Sequence, residues 1–255
     1  MSTHLRTLLD EAYDQYNAHS FIDSDPVSIP HRFTKKQDIE IMGLWAAVLA
    51  WGKRSTIIQK CDTLISLMEH QPHTFVLEHQ ESDLKRFLSF KHRTFMPTDA
   101  LYFMAFLKEY YQQHDSLEYA FSEAISAEDH SVEQGLIHFH RRFFNSPYAP
   151  VRTRKHIATP ERKSACKRLN MYLRWMVRQG DVDFGLWNNI KPSQLVCPLD
   201  VHVERVARSL GLLHRKQTDW KAAIELTDNL KEICAEDPVK YDIALFGLGV
   251  NGHYQ

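Results

Sequence analysis

Cys197-Pro198-Leu199-Asp200-Val201-His202-Val203-Glu204-Arg205-Val206-Ala207-Arg208-Ser209-Leu210-Gly211-Leu212 contains a helix with both of its ends marked. Pro198 stops whatever precedes it, because a proline disfavours helix in the residue before it. Asp200 is a favoured helix N-cap, since its carboxylate can accept from the first free amides. Val203, Val206, Ala207 and Leu210 follow at helical spacing and form one apolar face. Gly211 is a natural residue for the left-handed turn that ends a helix. Asp200 therefore has two readings, a structural cap or a functional carboxylate, and the local pattern supports both.

Outward from this helix the period stays near 3.6, glycine is scarce at nine residues, and no alternating run bounded by turn residues stands out. An all-α fold is expected. Asp38 is a plausible cap for a helix with Ile41, Leu44, Trp45, Val48 and Leu49 inward. Trp51-Gly52-Lys53-Arg54 breaks that pattern, and Ser55 can cap the next helix through Met68. Further helices are expected over Thr98–Tyr110, Val132–Phe144, Ser164–Arg178 and Trp220–Ile233, with a last one opened by Asp237-Pro238 and ending in Phe246-Gly247-Leu248-Gly249. Asn145 to Pro160 holds three prolines and reads as a crossing between lobes.

Composition narrows the class. At 255 residues, with 44% hydrophobic and 25% charged side chains, the chain is long enough for one large domain or two lobes sharing a cleft. Residues 1–20 are polar and charged throughout, and the longest apolar run, Ile41 to Trp51, is too short to span a bilayer. A cytoplasmic protein without a membrane anchor is expected. Cys61, Cys166, Cys197 and Cys234 form no CxxC pair, so free thiols and no metal or iron–sulfur framework are expected. The net charge is only −1, yet Arg152 to Arg168 carries seven basic residues and one acid, Glu161. That segment is either a solvated loop or a local contact for a polyanion. Lys163, Lys167, Arg174 and Arg178 project onto one stripe of a helix, which suits tracking phosphates or, equally, facing solvent.

The segment around Asp200 resembles the P-V-D-T-H-V-x-R-V-x-x-R-L-G-L signature of the helix-hairpin-helix DNA glycosylase superfamily, which includes endonuclease III and the archaeal 8-oxoguanine glycosylases. The matching residues are Pro198, Asp200, His202, Val203, Arg205, Val206, Arg208, Leu210, Gly211 and Leu212. The order of helices after Gly211 and the helix–loop–helix over 38–68 are similar as well. The resemblance covers roughly residues 36–70 and 160–250; taken whole, the chain looks closer still to a family of bacterial conserved proteins with no assigned activity. It implies a two-lobed helical bundle, with 36–145 as a six-helix-barrel-like lobe and 1–35 plus 146–255 as the lobe carrying the hairpin and Asp200.

What the resemblance implies for function is a base-excision DNA glycosylase acting on double-stranded DNA that contains a damaged purine such as 8-oxoguanine. The expected protein is monomeric and needs no cofactor or metal. Cleaving an N-glycosidic bond builds positive charge on the sugar, and a fixed carboxylate such as Asp200 stabilises it and orients water. The superfamily's usual lysine lies about eighteen residues before that aspartate, where this chain has Val182. By comparison with the archaeal 8-oxoguanine branch, Lys167 is the nucleophile expected for an additional lyase activity. The hairpin is reduced to Gln179–Gly185, whose Gly180 and Gly185 can present amides to a phosphate. Trp51 is the expected wedge or stacking partner for an extruded base, or else a core residue. Lys53, Arg54, Lys163, Arg168, Arg174, Arg178 and His202 are the expected DNA contacts, and Asp242 and Phe246 the expected base pocket.

Two rivals stand beside this reading. A non-catalytic DNA-binding or damage-recognition protein of the same fold fits the altered hairpin. A His-Asp metal-dependent phosphohydrolase would rest on His114-Asp115 and the fifteen histidines, whose remaining spacing matches no ligand set.

Overall fold

A computed structural model describes residues 3–252 and is mostly helical, with no strand among the described residues. The helices are α1 (Thr3–Tyr16), α2 (His19–Ser24), α3 (Lys36–Leu49), α4 (Arg54–Leu67), α5 (Pro72–Glu78), α6 (Pro97–Tyr111), α7 (Tyr119–Ser122), α8 (Glu133–Phe143), α9 (Lys167–Val177), α10 (Val201–Ser209), α11 (Trp220–Lys231) and α12 (Tyr241–Val250). Among the described residues, no helix is long and apolar enough to cross a membrane. The all-α architecture agrees with the periodicity.

α3 is the central element. Ile39 to Leu49 is continuously buried, because the helix packs on α4 and α5 on one side and on α9 on another. α3 and α9 approach at Gly43, where an added Cβ would lie 2.9 Å from Met176 Cε and 3.1 Å from the Tyr172 ring. One acid interrupts the run. Glu40 is fully buried and accepts from Tyr111 Oη (2.8 Å), Ser116 Oγ, Leu117 N (3.1 Å) and Trp187 Nε1 (2.7 Å). Its backbone oxygen accepts from Tyr172 Oη at 3.0 Å. A buried carboxylate is tolerated only when its lone pairs are satisfied, and here they join α3 to the loops after α6 and α9.

The two glycines of α12 serve as contact surfaces. A Cβ on Gly247 would sit 2.2 Å from the Tyr16 ring of α1, and one on Gly249 would sit 2.9 Å from His202 Cβ of α10. α12 therefore touches α1 and α10 backbone-close on nearly opposite faces, two residues apart. Asp10 of α1 also accepts from Tyr241 Oη (2.8 Å) and Lys240 Nζ (3.1 Å) beside α12.

Several helix starts differ from the sequence expectation for identifiable reasons. Asp38 lies in the first turn of α3, and its carboxylate accepts from His73 N at 2.7 Å on α5. α4 is capped by Lys53 and begins at Arg54, ahead of Ser55. α9 begins at Lys167, since Lys163 and Cys166 take left-handed conformations (φ 61° and 50°) and Ser164 pairs with Asp219. The crossing over residues 145–160 is pinned to α6: Thr153 Oγ1 donates to Asp99 Oδ1 at 2.7 Å, and Arg152 and Met96 N donate to Asp99 Oδ2. Gly211 takes φ +71° at the end of α10, as a left-handed C′ residue should.

Candidate active site

α10 begins where the loop from Cys197 to Leu199 turns out of the core. Asp200 is its N-cap, and its Oδ1 accepts from His202 N (2.9 Å) and Val203 N (3.1 Å). That leaves Oδ2 free to face outward. Lys167, the first residue of α9, places Nζ 3.8 Å from this Oδ2, and its Nζ also lies 3.3 Å from Met171 Sδ. Both side chains are partly exposed, Lys167 at 28% and Asp200 at 20%.

The pair stands in a cleft of about 700 Å³ whose walls come from α3–α4, α9, α10, α12 and the turn after α2. Trp51 forms one wall. Its ring packs at 4.8 Å edge-on to His92 and at 5.8 Å stacked with His156, and the Arg168 guanidinium lies 5.0 Å from its centroid. So held, Trp51 is a fixed wall and not a protruding wedge. Arg168 also donates to Lys155 O at 3.2 Å, and burial pushes its guanidinium down to about 10. Phe246 also lines the cleft, with Phe21 edge-on at 6.0 Å, His202 edge-on at 5.8 Å and Arg54 4.9 Å over the ring.

Asp242, one turn before Phe246, closes the floor with Arg174, to which its Oδ2 is ion-paired. Burial raises Asp242 to about 6, outweighing the nearby Arg174, and the Asp200 charge adds to the rise. Asp25 is the residue that the sequence did not flag. It is buried at the cleft edge, accepts from Val27 N at 3.1 Å, and lies 4.0 Å from Arg54 Nε. Burial raises it too, against the pull of Val27 N and Arg54. Its one legible signal was its place before Pro26, where an Asp caps a short turn.

Of the expected site residues, the structure gathers Asp200, Lys167, Trp51, Arg54, Arg168, His202, Asp242 and Phe246 around one cleft. Arg174 and Arg178 require a correction. Neither is an exposed cation on a phosphate-tracking stripe, being 4% and 2% exposed. Arg174 Nε donates to Asp183 at 3.2 Å, and Arg178 engages Asp183 and both oxygens of Asp237 (2.7 and 2.8 Å). The stripe exists, but it faces inward onto carboxylates. Lys163 stands outside α9 and is exposed, as is Lys53 at the cap of α4. Gly180 and Gly185 belong to a tight turn closed by a Gln179–Phe184 bridge, with Gly180 N donating to Asp183 O at 3.3 Å. Neither lines the cleft. His114 lies away from it, stacked on Tyr110 at 4.5 Å and 2.6 Å from Arg142.

Residues 25–251 match a family described as a protein of unknown function, DUF2400. The chain belongs to this family. The match spans the whole cleft apart from the Phe21 side of its wall. No curated protein matches the chain, and no solved structure matches it.

Proposed function

We propose that this DUF2400 chain is a DNA N-glycosylase that takes a damaged purine, such as 8-oxoguanine, out of double-stranded DNA in the cytoplasm. The observation that carries the reading is the 3.8 Å approach of Lys167 Nζ to Asp200 Oδ2 inside an aromatic-walled cleft. An extruded base fits between the Trp51 and Phe246 walls, where stacking is favourable and independent of base identity. Asp200, tied by one oxygen, keeps the other as a fixed negative charge beside C1′ as the sugar becomes cationic. Lys167, once its ammonium has lost a proton to solvent, is placed to attack C1′, and breaking of the C1′–O4′ bond then gives an imine, which adds lyase chemistry. Exposed Lys53 and Lys163 are the cations proposed to meet flanking phosphates.

The test is base release from an 8-oxoguanine duplex, with borohydride trapping alongside. Wild-type protein should release the base and form a covalent adduct, and Lys167→Gln should lose the adduct. Base release without an adduct would leave a hydrolytic glycosylase in which Asp200 directs water. No release from any damaged-base duplex, with duplex binding retained, would instead identify a non-catalytic damage-recognition protein.

A further inference from the structure

We propose that Asp242 is the general acid of this site: its carboxyl carries a proton at Oδ1 and hands it to the departing base, while Asp200 remains the anion beside C1′. The inference rests on the glycosylase reading and assigns the one proton transfer which that reading leaves without a donor.

Arg174 and Arg178 are two cations serving three carboxylates. Both oxygens of Asp183 accept from these arginines, one from Arg174 Nε and one from Arg178 Nη1. Both oxygens of Asp237 accept from Arg178. Asp242 Oδ2 accepts from Arg174. Asp242 Oδ1 is the oxygen left over, and it meets only the Cys197 thiol at 3.9 Å, a weak donor. Asp237 is partly exposed and shares its charge with solvent, whereas Asp242 is buried, and a buried carboxylate with one oxygen left without a cation lowers its energy by taking up a proton. That proton belongs on the oxygen without an arginine, and Asp242 is the member of the trio that lines the cleft.

The groups facing Asp242 act in the same sense. Arg174 and Lys167 of α9 favour its anion, but Arg174 is shared with Asp183 and influenced by Asp25, and Lys167 is paired with Asp200. Asp200 opposes the anion directly, and burial, the largest influence, opposes it most. Cys197 stays a neutral thiol, since burial pushes it up. Arg54 and His202, which also line the cleft, pack on the Phe246 ring one turn after Asp242. Of the two carboxylates in the cleft, Asp242 is the one pushed toward the acid form, as a general acid requires.

The step balances. The C1′–N bond breaks and its electron pair passes to the base nitrogen system, which takes the proton from Asp242 Oδ1. Lys167 Nζ, after losing its ammonium proton to solvent, or water supplies the new electron pair to C1′, and only the proton shed as that bond forms passes to Asp200, which returns it to solvent. Asp242, now an anion beside Arg174, regains a proton from solvent once the base has left.

The experiment is single-turnover base release from an 8-oxoguanine duplex by the full chain between pH 5 and 9, with wild type and Asp242→Asn. Carboxylic-acid infrared absorption is followed over the same range. Wild-type release should fall about tenfold per pH unit above the point near 6 where Asp242 loses its proton. Asp242→Asn should lower the rate at pH 6 by about 10²-fold and flatten that limb. The protonated-carboxyl band should titrate in wild type and vanish in the variant. Release with the same pH profile in both proteins, or no titrating band, overturns the proposal while leaving the glycosylase reading intact. Absence of release in wild type at every pH overturns both. If Asp242→Asn does not fold, the wild-type profile and band decide alone.

Discussion

Asp200 Oδ2 faces Lys167 Nζ at 3.8 Å while its Oδ1 is held by two α10 amides. One carboxylate therefore has a structural oxygen and a chemical one, and substitutions separate the two roles. Asn is as good an N-cap as Asp, so Asp200→Asn should change unfolding free energy by no more than about 1 kcal/mol, including the partly exposed lysine pair. Base release should nonetheless fall by about 10²–10³-fold. Asp200→Ala should cost roughly 1 kcal/mol more than Asp200→Asn. Urea denaturation and single-turnover release measure the two effects; equal base release by wild type and Asp200→Asn would refute the catalytic role.

Trp51 is held by His92, His156 and Arg168, so its indole is preorganised as a cleft wall. Trp51→Ala should weaken binding of an 8-oxoguanine duplex by about 1–3 kcal/mol, and Trp51→Phe should recover most of it. Fluorescence anisotropy with a labelled duplex checks this, and unchanged affinity of Trp51→Ala would remove Trp51 from the base site.

Gly247 meets the Tyr16 ring at a distance that admits no Cβ. Gly247→Ala should destabilise the protein by about 1–3 kcal/mol through overpacking, and adding Tyr16→Ala should leave a smaller loss than the two single changes sum to. A double-mutant cycle in urea tests the contact.

Asp99 concerns acid stability. Burial pushes its carboxyl up, but hydrogen bonds from His156, Thr153 and Met96 N outweigh this and hold it at about 2. An unfolded aspartate titrates near 3.9, so the folded value is depressed. The stabilisation, on the order of 2 kcal/mol, is complete above about pH 5 and is lost as pH falls through about 2. The stability gap between wild type and Asp99→Asn should therefore narrow between pH 5 and pH 2, followed by denaturant titration at each pH. A constant gap would show that the Asp99 contacts do not discriminate charge.

The parts of this molecule legible in sequence are those governed by neighbours in the chain. Pro198, Asp200 and Gly211 place α10 because capping and left-handed turns are local matters. The parts that were hidden depend on partners far away. Arg174 and Arg178 share a helical stripe in any projection, yet only the fold brings Asp237 and Asp242 to them, 59 and 68 residues downstream. Glu40 sits in an apolar run that gives no hint of donors from Ser116 and Trp187. Asp25 reached the cleft unannounced for the same reason. Trp51, by contrast, was readable as aromatic at a turn, but whether it protrudes or forms a wall depended on His92, His156 and Arg168, which only packing could supply.

Burying Arg174 and Arg178 on carboxylates also changes how the protein would meet nucleic acid at large. Counterions leave DNA only in exchange for cations that reach its phosphates, and these two are already neutralised inside the chain. The affinity of this protein for undamaged duplex should accordingly draw on the exposed cations, Lys53 and Lys163 among them, and fall with ionic strength less steeply than a four-cation stripe would give. Recognition would then rest more on the base that enters the cleft, and the search along a genome would proceed by briefer encounters, with less electrostatic sliding.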